Sequence, residues 1–373
     1  MEKIKLGIIG CGGDIARLHI NNIIAGKCPS VTVTALSTRK IEKAEAISER
    51  LKAEMDMDAK VFATDMELIQ NADVDAVLIS TPHYQHEELS IAAMENDIHV
   101  LCEKPSGAYA LQALRMNEVA DKTGKLFGMM FHHRTNPMFI KARQMVQSGE
   151  LGEIRRINFI STNSYRGQNH YDAVDWRGTW EKDGGGVVMN QAPHQLDLIR
   201  WIFGMPKKVT GFLGLGRWHD IQTDDDVTAY MEYENGATAI FIGSTSDAPG
   251  TMRLEITAEF GKVVCEDNKL KFWKLEGSLN EYSKTEPTGS LMPKFEVIDV
   301  PLDGVGVYTA HGGVVEQFAR AIIDGSEQIA DGRDGYESLS IANALILSQW
   351  NNNRAITLPI DDEEYFKTLK EHY

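Results

Sequence analysis

Lys104 stands in the stretch HVLCEKPSG (residues 99–107), directly behind an apolar run and directly before a proline. A carboxylate and an ammonium side by side at the mouth of such a run can hold or move a proton. The same triplet, Glu103-Lys104-Pro105, would also serve as a plain hydrated turn, so its meaning depends on the rest of the chain. A second chemical signal lies at the start, in GIIGCGGDIARLH (residues 7–19). Gly10, Gly12 and Gly13, with Asp14 and Ile15 after them, fall where a strand turns into a helix. Backbone amides there reach a pyrophosphate closely only when side chains are absent, and the helix dipole favours the negative charge. The spacing is irregular: counted from Gly10 and Gly12, the third glycine position is Ile15, and the small residue Ala16 comes one place later.

The next strand ends in ALSTRK (35–40). An acid at that point would bind the ribose hydroxyls of NAD(H) and repel a 2'-phosphate. Ser37, Thr38, Arg39 and Lys40 instead offer hydroxyl donors and positive charge. That chemistry points to NAD(P) with a preference for NADP(H), although a basic helix start would leave NAD(H) acceptable.

These groups need a scaffold, and the hydrophobic periods supply one. Strand-like runs cover residues 5–9, 31–36, 76–80, 99–102 and 126–130, with helical patterns at 15–25, 41–52, 87–96 and 108–123 between them. This alternation predicts a parallel sheet covered on both faces, a Rossmann dinucleotide-binding domain over residues 1–127. The texture then changes. A helical segment at 137–148 leads to an apolar run at 154–162, a glycine-rich patch and a helix near 194–203. Residues 207–300 read as successive strands, with Asn235-Gly236 as a hairpin turn. Helices return at 313–324 and 336–351. The expected fold class is therefore α/β: the nucleotide domain plus a C-terminal α+β domain (128–373) with a large, mostly antiparallel open sheet for substrate binding and oligomerisation.

The chain of 373 residues carries 54 acids against 38 bases, a net charge of -16. That balance lacks the basic surface a nucleic-acid partner requires and would be repelled by an anionic membrane. Cys11, Cys28, Cys102 and Cys265 show no paired spacing, which fits reduced thiols and no metal site. No leader-like or long apolar segment is legible, so a cytoplasmic location is expected.

The segments LISTPHYQH (78–86) and LCEKPSG (101–107) both close predicted parallel strands. With the glycine turn, GELGEIRRI (149–157), DGGGVVMNQAPHQLDLIRWIFG (183–204) and HGGVVEQFARAI (311–322), they resemble the Gfo/Idh/MocA family of NAD(P)-dependent sugar and polyol oxidoreductases. The likeness runs along nearly the whole chain. It implies a crevice lined on the cofactor side by Thr81, Pro82, His86, Glu103 and Lys104, with Lys104 aimed at the substrate carbon and the Lys104–Pro105 bond often cis. It also implies reversible interconversion of one secondary hydroxyl and a ketone on a sugar, inositol or derivative.

In that family a histidine opens a helix four residues after an acid. The histidine here is His194, but position 190 is Asn190. One continuous helix would gather Asn190, His194 and Asp197 on a single face, with Pro193 confining the start to its first turn. An imidazole with an ordinary pKa suits removal of an alcohol proton as hydride leaves. His194 is thus the expected base, Lys104 the group that orients the alcohol or carries the proton instead, and Asn190 an orienting residue. Between strand and helix, residues 163–186 mix aromatic and polar groups. Tyr165, Arg166, Trp176 and Arg177 suit a sugar, while His311 and the HHR triplet at 132–134 are further pocket candidates. Two other classes share the pattern: a glycosidase that retains NAD and acts by transient oxidation, and a non-catalytic sensor. An open sheet face predicts a homodimer or homotetramer.

Overall fold

The structure is a computed structural model describing residues 2–373. It divides into two compact units, one of residues 1–135 with 307–339, the other of 136–306 with 340–373.

In the first unit the chain runs β1 (Ile4–Ile9), α1 (Asp14–Ile24), β2 (Val31–Ser37), α2 (Ile41–Met55), β3 (Lys60–Phe62), α3 (Asp65–Asn71), β4 (Ala76–Ile79), α4 (His86–Glu95), β5 (His99–Cys102), α5 (Ala110–Thr123) and β6 (Phe127–Met129). The six strands order β3-β2-β1-β4-β5-β6, all parallel. Chain order reverses between β1 and β4, and at such a switch point a crevice opens beyond the carboxyl ends of the strands. The strands carry apolar side chains on both faces because helices cover both. All four residues of β4 are buried, as are Leu6, Ile8 and Ile9 of β1.

The sequence reading missed β3 and α3. A three-residue strand is too short to show a period, and α3 is set by a cap, the Thr64 hydroxyl accepting from the Glu67 amide at 3.0 Å.

The units do not follow one cut after residue 127. After eight of the nine strands of the second sheet, α11 (Ala310–Asp324) returns to the first unit, where Val314, Val315, Phe318 and Ala319 join the core built by Leu6, Ile8, Ile20 and Ile23. Each large apolar side chain buried this way contributes about 1.5–3 kcal/mol, which outweighs the sequence distance. Helix α12 (Gly332–Trp350) contributes residues to both units.

The second unit is built on nine strands ordered β14-β13-β12-β11-β7-β10-β9-β8-β15. Their ranges are β7 (Ile154–Ser161), β8 (Lys208–Leu215), β9 (Asp224–Glu232), β10 (Thr238–Ser244), β11 (Met252–Ala258), β12 (Gly261–Glu266), β13 (Lys269–Leu275), β14 (Phe295–Asp299) and β15 (Ile356–Thr357). Pairing is antiparallel throughout except between β7 and β10. The β9–β10 hairpin turns at Asn235-Gly236, with Gly236 at φ 85, the left-handed value that favours glycine. Alternation along β9 buries Val227, Ala229 and Met231 and turns Thr228 and Tyr230 outward. The buried face packs on helices that include α6 (Pro137–Gln147) and α8 (Val187–Asn190), and α9 (Pro193–Phe203) packs against both of these helices. The unit also contains α7 (Gln168–Asp172), α10 (Leu279–Thr285) and α13 (Asp362–Lys370).

No helix among the described residues is long and apolar enough to cross a membrane.

Candidate active site

The glycine turn follows β1 as the sequence implied. Gly10 has φ 75, and the amides of Gly10 and Cys11 both donate to the carbonyl of Ser37 at 3.0 Å, pulling the turn over the end of β2. A Cβ on Gly10 would stand 3.0 Å from the Ser80 backbone, and one on Gly12 would stand 2.8 Å from the Thr38 hydroxyl. Gly13 caps α1 with no side-chain bond to the helix amides. Together these features leave a cradle stripped of side chains at a helix N-terminus, which fits a dinucleotide pyrophosphate. Asp14 offers only its backbone there, since its exposed carboxylate is paired with Arg17. Ile15 is half-buried, while Ala16 is completely buried and supplies the close helix packing.

At the end of β2, Ser37 is buried and its hydroxyl donates to Asp65 Oδ1 at 2.7 Å. Sequence reading missed Asp65, because its carboxylate arrives from the first turn of α3, 28 residues away. Thr38 is half-buried, and Arg39 and Lys40 are exposed.

Thr81 and Pro82 follow β4, and Lys104-Pro105 follows β5 with a cis peptide bond. His86 ties the two loops together, with Nδ1 2.8 Å from the Pro105 carbonyl oxygen and Nε2 2.9 Å from that of Thr81. It is fully buried and braces the two loops. Glu103 is buried too. Its Oε1 lies 2.7 Å from His19 Nε2, and its Oε2 accepts from the Lys104 amide at 3.2 Å. Burial pushes the Glu103 carboxyl up, but the His19 contact and the charges of His19, His311 and Lys104 bring it below its ordinary value.

Lys104 itself is half-buried amid imidazoles. His311 stacks on His132 with ring centroids 3.7 Å apart, and His133 meets His132 edge-on at 4.6 Å. Burial, reinforced by the charge of Lys104 and the neighbouring imidazoles, lowers His132 to about 2 and His133 to about 4. Burial likewise lowers His311 to about 4, with His19 and Lys104 adding to the effect. At neutral pH these three rings are uncharged. Arg134, the last residue of the HHR triplet, is buried against Asp334 at 2.9 Å and braces the fold. Among the described residues, no group of three or more His, Cys, Asp or Glu is arranged to hold a metal ion.

In the second unit the histidine helix departs from the single face expected. Asn190 ends α8, the chain breaks at Gln191 and Ala192, and Pro193 starts α9 with His194 beside it. Proline has no amide to continue the α8 ladder, so the break falls where its backbone demands. His194 and Asp197 are both buried in α9.

The stretch before α8 is held by two buried acids that the sequence reading did not single out. Asp224, the first residue of β9, accepts from the amides of Gly186 and Val188, each at 2.8 Å. Asp183 accepts from the Gly178 amide at 2.8 Å and from Asn190 Nδ2 at 3.1 Å. Burial raises Asp224 to about 6 and Asp183 to about 7, and in each case a neighbouring carboxylate adds to the rise.

The aromatic segment is pinned from several sides. Tyr165 is exposed, and the Arg166 amide donates to the Thr245 carbonyl at 2.8 Å. Arg177 donates to the His170 carbonyl at 2.8 Å while its guanidinium lies 5.4 Å from the Trp176 ring. Trp180 is buried against Trp350 and serves packing.

A side-chain-free turn at the switch point of a 3-2-1-4-5-6 sheet defines a dinucleotide-binding domain, and Lys104 stands in the loop after β5 of the same sheet. Residues 4–131 match the family described as "Oxidoreductase family, NAD-binding Rossmann fold", and residues 139–264 match the GFO/IDH/MocA C-terminal domain. The chain belongs to the GFO/IDH/MocA family and is an NAD-dependent oxidoreductase.

Three similar proteins bear on substrate. A 1-carboxy-3-chloro-3,4-dihydroxycyclohexa-1,5-diene dehydrogenase of Comamonas testosteroni is 33% identical over 190 residues, 49% of this chain and 46% of that protein, so this match spans under half of either. The levoglucosan dehydrogenase of Pseudarthrobacter phenanthrenivorans is 24% identical over 93% of this chain and 96% of its own. Among solved structures, the WlbA dehydrogenase of Chromobacterium violaceum, in complex with NADH and UDP-GlcNAcA, is 25% identical with a TM-score of 0.81, covering 97% of each chain.

Proposed function

We propose that the chain interconverts a secondary hydroxyl and a ketone on a sugar, polyol or sugar derivative. The glycine cradle at the β1–β4 switch point carries this reading, because a dinucleotide held there by its pyrophosphate would lie along the same sheet edge from which the Lys104 loop leaves β5. The relatives named above, a levoglucosan dehydrogenase and a dehydrogenase bound to UDP-GlcNAcA, support the substrate class.

The nicotinamide, when bound, accepts hydride from the carbinol carbon or returns it. In the oxidative direction His194 takes the hydroxyl proton, and Lys104 donates a hydrogen bond to the same oxygen and stabilises the charge that develops there. The electron pair of the C–H bond leaves with the hydride, the C–O bond gains double-bond character, and imidazole becomes imidazolium. Asn190 orients the reacting groups, with Tyr165, Arg166, Trp176 and Arg177 addressing the remainder of the sugar.

For the coenzyme, Asp65 beside Ser37 supports the ribose diol of NAD(H), since a carboxylate accepts from hydroxyls and repels a phosphate. Arg39 and Thr38 support acceptance of NADP(H) as a second substrate. The outward face of the second sheet, where Tyr230 pairs across to Ile240 and Phe212 lies across from Thr228, supports a homodimer or homotetramer formed by copies of this chain.

The test is a panel of sugars, polyols and nucleotide sugars assayed for NADH and NADPH formation, beside Lys104→Ala and His194→Ala. Parental turnover in both variants would remove the catalytic assignment. Arg39→Ala is expected to lower kcat/KM for NADP about 10-fold, the worth of one charge-assisted bond, and to leave NAD use unchanged.

A further inference from the structure

We propose that Asp183 is a positioning residue of the proton-transfer site, holding the Asn190 carboxamide in one orientation and making its oxygen a stronger acceptor. This rests on the reading of His194 and Asn190 given above.

The geometry leaves the amide little choice. Asn190 Nδ2 faces both oxygens of Asp183, at 3.1 and 3.5 Å, and Asn190 Oδ1 accepts from Gln191 Nε2 at 3.1 Å. Turning the amide over would set oxygen against carboxylate on one side and nitrogen against nitrogen on the other. A side-chain amide, whose two ends are otherwise nearly alike in shape, is thereby fixed. A carboxylate drawing on the N–H group shifts electron density onto the amide oxygen, as linked hydrogen bonds polarise one another. Position 190 thus acquires part of the character of an acid although it is an asparagine, with the charge standing one residue behind it.

Packing alone does not ask for an acid here. The Gly178 amide needs one acceptor, and a serine or asparagine could provide it. A carboxylate that is 1% exposed and shares the interior with Asp224 costs desolvation that a neutral side chain would avoid. Among the groups facing it are Asp224 on β9, Arg177, whose charge favours the carboxylate, Tyr171, and Asn190, whose carboxamide donates to it directly.

Protonation reverses the constraint. A neutral Asp183 carries an O–H that donates, and the amide no longer has to present its nitrogen. The orientation of Asn190 then depends on the charge of Asp183, which titrates near pH 7.

The test compares Asp183→Asn, Asn190→Asp and the double variant with the parent, reading kcat against pH and the side-chain amide resonances of Asn190 by NMR. NADH binding and circular dichroism serve as checks of folding. Asp183→Asn is expected to lower kcat about 10-fold at pH 8 and to remove from the acid side of the profile the step near pH 7 that belongs to Asp183, leaving the step of the base His194, with NADH affinity unchanged. In the parent, the Asn190 amide resonances are expected to titrate with Asp183. Adding Asn190→Asp to Asp183→Asn is expected to restore much of the rate, because the acid then stands at position 190 itself. A parental rate and acid limb in Asp183→Asn, together with Asn190 resonances that do not titrate, would overturn the proposal even if His194→Ala is inactive. A fully active His194→Ala would instead overturn the underlying site assignment. Should Asp183→Asn fail to fold, Asn190→Asp alone decides: two touching carboxylates must raise the acid limb, and an unmoved limb removes the proposal.

Discussion

The carboxylate of Glu103 lies 2.7 Å from Nε2 of His19, with both side chains closed off from solvent. Helix α1 is thereby fastened to the loop that carries Lys104. Removing one partner of a buried pair strands the other. His19→Ala is expected to destabilise the protein by about 3 kcal/mol in denaturant unfolding and to lower turnover by loosening Lys104. The pH dependence has a definite sign. Glu103 binds its proton more weakly folded than unfolded, so its stabilisation is present above about pH 4.3 and is lost as pH falls through its depressed folded value. His19→Ala should flatten that acid-side loss; an unchanged acid limb of stability would contradict the pairing.

Asp183 has the opposite sign. Its folded pKa, raised to about 7, means that the folded state holds this proton more tightly than the unfolded chain. Its contribution to stability is full below about pH 3.9 and is lost as pH rises through about 7. Asp183→Asn does not titrate, so its stability relative to the parent is expected to improve between pH 5 and pH 8, by up to about 1.4 kcal/mol per pH unit. Urea unfolding of both proteins at the two pH values measures the difference directly.

Gly186 donates its amide to Asp224, and a Cβ there would stand 1.7 Å from the Asp224 carbonyl oxygen. No rotamer relieves a clash with backbone. Gly186→Ala is expected to cost about 3 kcal/mol and to disturb the α8–α9 region. Thermal unfolding checks the first effect. Loss of substrate binding with NADH binding retained checks the second.

Ile240 and Tyr230 form a registered pair on the outward face of the second sheet. If copies of this chain meet there, Ile240→Glu buries a charge without a partner and shifts the species in solution to monomer. Light scattering coupled to size exclusion gives the mass, and an assembly that survives the substitution would place the contact elsewhere.

The nucleotide domain was legible because five of its six strands are apolar runs closed by a turn, and His99–Cys102 was read to the residue. The histidine helix was legible in composition but not in shape. Pro193 marked where the helix of His194 starts, but the short helix that ends at Asn190 and the break at Gln191 and Ala192 had no signal of their own. Asp65, Asp183 and Asp224 were not found, since nothing in sequence separates a buried acid from the many solvated ones. Their roles depend on amides and hydroxyls brought from 28, 5 and 38 residues away. The return of α11 to the first unit was missed for the same reason: a core accepts an apolar helix from any place in the chain.

That return has a consequence for biosynthesis. Val314, Val315, Phe318 and Ala319 complete a core whose other members lie within residues 4–130. A ribosome that has delivered the whole six-stranded sheet has therefore delivered a domain with an uncovered apolar flank, and the flank stays wet until β7 to β14, eight of the nine strands of the second sheet, have been synthesised as well. The nascent chain spends that interval exposed to aggregation or chaperone capture, so the coenzyme cradle is among the first parts to be translated and among the last to become secure.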